Sequence, residues 1–214
     1  MRVKHAIGLF LLLPAFWGMA MAREAMTRAQ AAYAAAASIR LIPGSDIEFG
    51  HHAHILALAE FDKKQGPQIV YLLTAFNTGS TFDATNELMV MTRLEEGDKR
   101  GISSYPGTSE VTDQDYAEIR RSGYADDVGV HIPGEVSDLQ IRGDNIVVRF
   151  HSKEDSPICK RFSETSEGSK ATHCPLPGWH TWIYAWTPGK LERVGCEDGS
   201  GVRVQCNPDQ DVSR

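Results

Sequence analysis

The chain has 214 residues, 22 Lys and Arg against 28 Asp and Glu, a formal charge of −6, and is 42% hydrophobic. That composition excludes disordered and collagen-like classes, and the length fits one folded unit. The acidic balance opposes nucleic-acid binding, which needs clustered Lys and Arg to displace counterions from phosphates.

Arg2 and Lys4 precede the uncharged run Ala6 to Gly18, and Ala20-Met21-Ala22 places small residues at a peptidase site before Arg23. This three-part layout is that of a secretory signal peptide over 1–22, cleaved after Ala22. An uncleaved anchor competes with it, but the apolar run is at the lower edge of spanning length and Pro14 interrupts it. No later run is long enough to span, so no stable membrane insertion is expected after cleavage. Losing the tag removes two basic residues and no acidic ones, which leaves a charge of −8. Such a chain attracts a basic protein partner. The expected location is periplasmic or secreted.

Residues 23–45 are alanine-rich, and Ala is the best helix former. With few large apolar side chains before Pro43-Gly44, the segment is expected to be a lead-in helix or linker outside the core. A single β-rich domain follows over 46–214. His54 to Phe61 and Gln68 to Phe76 form a hairpin across the turn chemistry of 62–67. Both faces of Ile69 to Leu73 are apolar, which predicts a central strand covered on two sides. Asn77 to Thr81 is a loop, Leu88 to Leu94 a strand and Glu95 to Gly101 a charged turn. Thr112 and Asp115 can cap a short helix that turns Tyr116 and Ile119 inward and ends near Gly123.

In Ser137 to Phe150, a two-residue turn at Gly143-Asp144 pairs Ile141 with Ile146 and Leu139 with Val148 on one face. Gln140, Arg142, Asn145 and Arg149 take the other face, with Val147 the apolar exception, and Gly first in the turn suits type II′. Thr181 to Val194 is a second hairpin, turning at Pro188-Gly189. Lys153 to Gly178 between them is long and polar. Strand groups over 47–105 and 130–194 define a mainly β chain. An antiparallel sandwich or partial barrel, or propeller-like sheets, with one or two short helices is expected.

The four cysteines, Cys159, Cys174, Cys196 and Cys206, suit an oxidising compartment. Three pairings are open; Cys159–Cys174 and Cys196–Cys206 are favoured because each closes a polar, Gly-containing loop. A four-thiolate zinc site lacks any C-x2-C pair. In His51-His52-Ala53-His54, His52 and His54 share one side of an extended segment and could bind zinc or copper with help from His131, His151, His173, His180 or Asp62. Solvated imidazoles at a strand entrance are the plainer alternative. Trp182, Tyr184 and Trp186 alternate along a strand. An exposed ladder would stack on glycans or anchor a partner, whereas burial would make the row core, the outcome favoured for large aromatics. Asp62, Asp83, Asp126-Asp127 and Asp198 read mainly as turn formers, although two or three could hold calcium. Nucleophile-elbow, zincin, P-loop and dinucleotide signatures are absent; a Ser-His-Asp triad is defined by geometry rather than by scattered positions, and a carboxylate pair for glycan cleavage, such as Glu48 with Glu60, is open to an enzyme.

At Thr78-Gly79-Ser80-Thr81-Phe82 with the strand Leu88 to Leu94, and again at Val136 to Phe150 and Lys190 to Val194, the chain resembles small exported bacterial β-proteins of unassigned function. Some proteins of that kind are periplasmic immunity proteins that inhibit cell-wall hydrolases. The resemblance spans about half of the mature chain and departs at the Lys153 to Gly178 insertion and the Cys196 to Cys206 loop. It implies an exported, non-catalytic binding protein, an inhibitor or immunity protein. An envelope hydrolase or metal-dependent enzyme using His51, His52 and His54, and a glycan-binding module using Trp182 and Trp186, are the other functional classes.

Overall fold

The computed structural model describes residues 25–39, 55–75, 85–98, 100, 113–153, 175–198, 200–204 and 206. Two antiparallel sheets dominate. The first runs β1 (Leu56–Ala59), β2 (Gln68–Ala75), β3 (Thr85–Arg93) and β4 (Tyr124–His131) in sequence order. The second runs β5 (Glu135–Arg142), β6 (Asn145–Ser152), β7 (Gly178–Thr187), β8 (Lys190–Glu197) and β9 (Arg203–Val204), also in order. The chain is thus mainly β and sandwich-like. Two helices join it, α1 (Arg28–Ile39) and α2 (Asp113–Ser122).

The hairpin of residues 137–150 forms in the expected register, with Ile141 opposite Ile146 and Leu139 opposite Val148. Gly143 has φ +59° and no non-Gly residue has positive φ among the described residues, as a type II′ turn requires. The turn at Pro188-Gly189 likewise pairs Thr187 with Lys190, with Gly189 at φ +73°. In β2 the alternation is buried on both sides. Val70 faces the sandwich interior with Leu88, Val90, Ile146, Val148, Phe150 and the aromatics of β7. Ile69, Tyr71 and Leu73 face the opposite way, against α1.

Over its described residues, 25–39, that second contact corrects the expectation that the alanine-rich segment lies outside the core. Ala31, Ala34, Ala35 and Ile39 are buried on the first sheet. Few large side chains mark the helix, but alanines let its backbone lie close to the strands, and burial is proportional to area removed from water rather than to residue size alone. A reciprocal cap starts it: Thr27 Oγ1 accepts from Gln30 N at 3.2 Å, and Gln30 Oε1 accepts from Thr27 N at 2.7 Å. Helix α2 packs Tyr116 and Ile119 against Ala37 and Ala125, as their spacing predicts, and ends at Gly123 with φ +72°.

Strand β4 is a second correction, because its Asp126-Asp127 reads in sequence as a turn. The strand pairs with β3 through a register shift between Val90 and Met91 that leaves Asp127 as the extra residue. The two carboxylates are then used on different layers. Asp126 accepts hydrogen bonds from Ser38 of α1 and, at 3.0 Å, from Tyr71 of β2. Asp127 reaches the other sheet, where Oδ2 accepts from Trp186 Nε1 at 3.0 Å and from Gly189 N at 2.8 Å. At the opposite end of β4, Asn86 accepts from Thr74 and donates to the Gly134 carbonyl at 2.7 Å, which fixes the crossing into β5.

Candidate functional site

Both faces of the first sheet are covered, by the helices and by the second sheet. The outer face of the second sheet has no described element over it. Its residues are the odd positions of β6 and β7 and their cross-strand partners. The registers place Asp138, Arg149, Thr181 and Glu197 in one row across four strands. Gln140, Val147, Ile183 and Gly195 form the next row, and Trp179 sits opposite His151.

Between this floor and the Asp198 to Gly201 turn lies an open cleft of about 280 Å³. Only Val147, Trp179 and Gly201 of its lining bring no charge, amide or hydroxyl. Trp179 is 57% exposed, unusual for an indole. Its ring lies edge-on to His151, with centroids 5.0 Å apart, and the Arg149 guanidinium sits 4.8 Å from its centroid.

The other charges are held by one another. Arg142 donates from Nη1 to Glu197 at 2.6 Å and from Nε to Gln140 at 2.9 Å. Gln140 in turn donates to Asp138 at 2.5 Å. Asp198 Oδ1 accepts from the Ser200 hydroxyl at 2.6 Å and from the Ser200 and Val202 amides at 2.9 and 3.0 Å. The Ser200 hydroxyl, followed by those amides, holds its carboxyl below the usual range. This loop is closed by the Cys196–Cys206 disulfide, with Cα atoms 5.1 Å apart, in the expected pairing.

No protein-family model, curated protein or solved structure matches the chain.

The sequence-predicted sites fare differently. Trp182, Tyr184 and Trp186 are 8%, 4% and 7% exposed and pack within the sandwich, so they are core and not a glycan or partner surface. Their parity puts them with Phe150, whose ring meets Trp182 edge-on at 4.8 Å. His51, His52 and His54, with Cys159 and Cys174, lie outside the described residues. Of the supporting metal candidates, His151 and His180 project from opposite sides of the second sheet, since their partners are Trp179 and Phe150. Asp62 Oδ1 instead accepts from the Lys64 amide at 2.9 Å. No group of three metal-ligating side chains converges among the described residues. No described helix is long and apolar enough to cross a membrane.

Sequence reasoning missed Trp179 and the Asp198 loop as parts of one site. The signal was present in Trp179, which is out of phase with the row from Trp182 to Trp186 and in phase with Thr181. What it lacked was the β6–β7 register.

Proposed function

We propose that the chain is an exported, non-catalytic binding protein of the cell envelope whose recognition surface is the outer face of the five-stranded sheet. The observation that carries this is the exposed Trp179 beside a cleft of prearranged polar side chains, on the one broad sheet face that no described element covers. Side chains fixed on strands bind with little ordering cost, and exposed Trp and Arg are the residue types that dominate recognition surfaces. Export is supported by the charged, apolar and small-residue segments over 1–22. The Cys196–Cys206 bond accords with an oxidising compartment.

In the form suggested by the resembled proteins, the ligand is a cell-wall hydrolase, and the charge of −8 left after loss of Arg2 and Lys4 favours a basic one. The test is capture from envelope extract at low salt by the mature protein and its Trp179→Ala variant. Wild-type protein is expected to retain a partner that elutes with salt and that the variant releases. Equal capture by both would remove the face from the proposal, and an empty wild-type column would remove the inhibitor form.

A further inference from the structure

Resting on the outer face as the binding surface, and not on the inhibitor form, we infer that the cleft takes a sugar ring carrying a carboxylate. Three observations converge on that chemistry. The first is the balance of donors and acceptors. The walls present the carboxylates of Asp138, Glu197 and Asp198, whose lone pairs outnumber the hydrogen bonds they accept from Gln140, Arg142 and the Ser200 loop, beside the remaining N–H groups of Arg142 and the Thr181 hydroxyl. A hydroxyl both donates and accepts, so a ligand bearing several of them satisfies such a mixed wall. An apolar side chain would leave it desolvated and unpaired.

The second is the platform. Trp179 offers a broad apolar surface at the mouth of an otherwise polar cleft, and the C–H face of a pyranose is the apolar side of a polar molecule. At about 280 Å³ the space lies at the small end of ligand cavities and suits one or two rings rather than a folded surface.

The third is Arg149. By register it faces Asp138, yet Asp138 Oδ2 accepts from Gln140, and Arg149 lies over Trp179 instead. Arg142 has Glu197, whereas Arg149 is in no ion pair among the described residues. A guanidinium over an indole face is attracted there without using its N–H groups, and those in-plane donors are the ones that receive a carboxylate through two parallel hydrogen bonds. The sugar ring would meet the open part of Trp179 while its carboxylate meets Arg149.

The experiment titrates the mature protein, labelled for observation of indole and guanidinium N–H signals, with N-acetylmuramic acid and glucuronate. N-acetylglucosamine and glucose are the uncharged counterparts, and acetate is the bare carboxylate. Both sugar acids are expected to shift the Trp179 and Arg149 signals and to bind about ten-fold more tightly than the uncharged sugars, as one charge-assisted contact implies. Arg149→Gln should erase that ratio and Arg149→Lys restore part of it, with Trp182 and Trp186 signals unmoved as the check on folding. Trp179→Ala should abolish binding of all four sugars. Equal binding of acid and uncharged sugars, an unchanged ratio in Arg149→Gln, or acetate binding as tightly as the sugar acids would overturn the inference. Partner capture that depends on Trp179, with no response to any sugar, would sink the ligand class and leave the binding face standing. Loss of both would end both.

Discussion

Asp127→Ala probes how the two sheets are fastened at the corner where β4 meets the β7–β8 turn. Asp127 Oδ2 accepts from Trp186 Nε1 at 3.0 Å and from Gly189 N at 2.8 Å. Trp186 is 7% exposed, so truncation strands its indole N–H, an orphan worth about 1–3 kcal/mol. Gly189 lies in an exposed turn and its amide recovers water, so losing that charge-assisted bond should cost about 1 kcal/mol. The sum is about 2–4 kcal/mol, to be read as a lowered midpoint in urea unfolding at unchanged slope. Trp186→Phe removes the orphan, so in Asp127→Ala/Trp186→Phe the two losses should fall short of additivity by about 1–2 kcal/mol. A single variant within about 0.5 kcal/mol of wild type, or a strictly additive pair, would refute this account of the corner.

Other perturbations test the same layers. Dense protein around the half-buried Asp126 pushes its carboxyl above the ordinary range near 3.8, against the opposing hydrogen bonds from Ser38 and Tyr71. The fold therefore binds that proton more tightly than the unfolded chain does. Its contribution is fully present below the unfolded value and is lost as pH rises through the folded one, at up to about 1.4 kcal/mol per pH unit. Asp126→Asn should remove that slope in a wild-type-minus-variant comparison of urea unfolding from pH 3 upward, and a constant difference would contradict it. Breaking Cys196–Cys206 by Cys206→Ala frees a loop with ends ten residues apart, for an expected loss of about 3 kcal/mol by chain entropy, measurable as a lowered midpoint under non-reducing conditions. In Gly134→Ala the new Cβ would meet the His151 carbonyl oxygen at 2.5 Å and Phe150 Cδ2 at 2.7 Å, costing about 1–3 kcal/mol. In Gly129→Ala the close contact is with the flexible end of Met89, and the Leu88 carbonyl oxygen at 3.6 Å is at ordinary contact distance, so the change should cost visibly less, and equal losses in the two would count against the packing described at the crossing.

What could be read without coordinates was local. The 137–150 hairpin was legible because alternation and turn chemistry agree there, and its register followed from the two-residue turn alone. Docking of α1 was not, because Ala31, Ala34 and Ala35 carry almost no hydrophobic signal, and what they contribute is closeness to the strands. Strand β4 was hidden for a related reason. Asp126, Asp127 and Gly129 are turn residues by propensity, and the partners that make carboxylates tolerable in a strand come from α1, β2, β7 and the 188–189 turn. The cleft needed the pairing of β6 with β7, and the segment from 153 to 177 separates those strands, so no turn fixes their register in advance.

The same geometry explains why an outward-facing sheet can keep apolar residues without another layer. Val147 and Ile183 are 4% and 5% exposed although both point away from the sandwich. Arg142 on β5 and Glu197 on β8 meet at 2.6 Å, so their stems must pass over the intervening strands, and Arg203 lies against Gly195 in the same row. The stems of these long side chains thus cover the apolar stripe, with the Arg142 side chain half exposed and the Glu197 side chain largely covered beneath it. This roof stops short of Trp179, where the neighbouring charge, Arg149, lies 4.8 Å over the indole and is in no ion pair among the described residues. The side-chain cover that makes the rest of the face inert is therefore incomplete at the one place where an aromatic ring is exposed. That is a reason, independent of the shape of the cleft, to look for a ligand there.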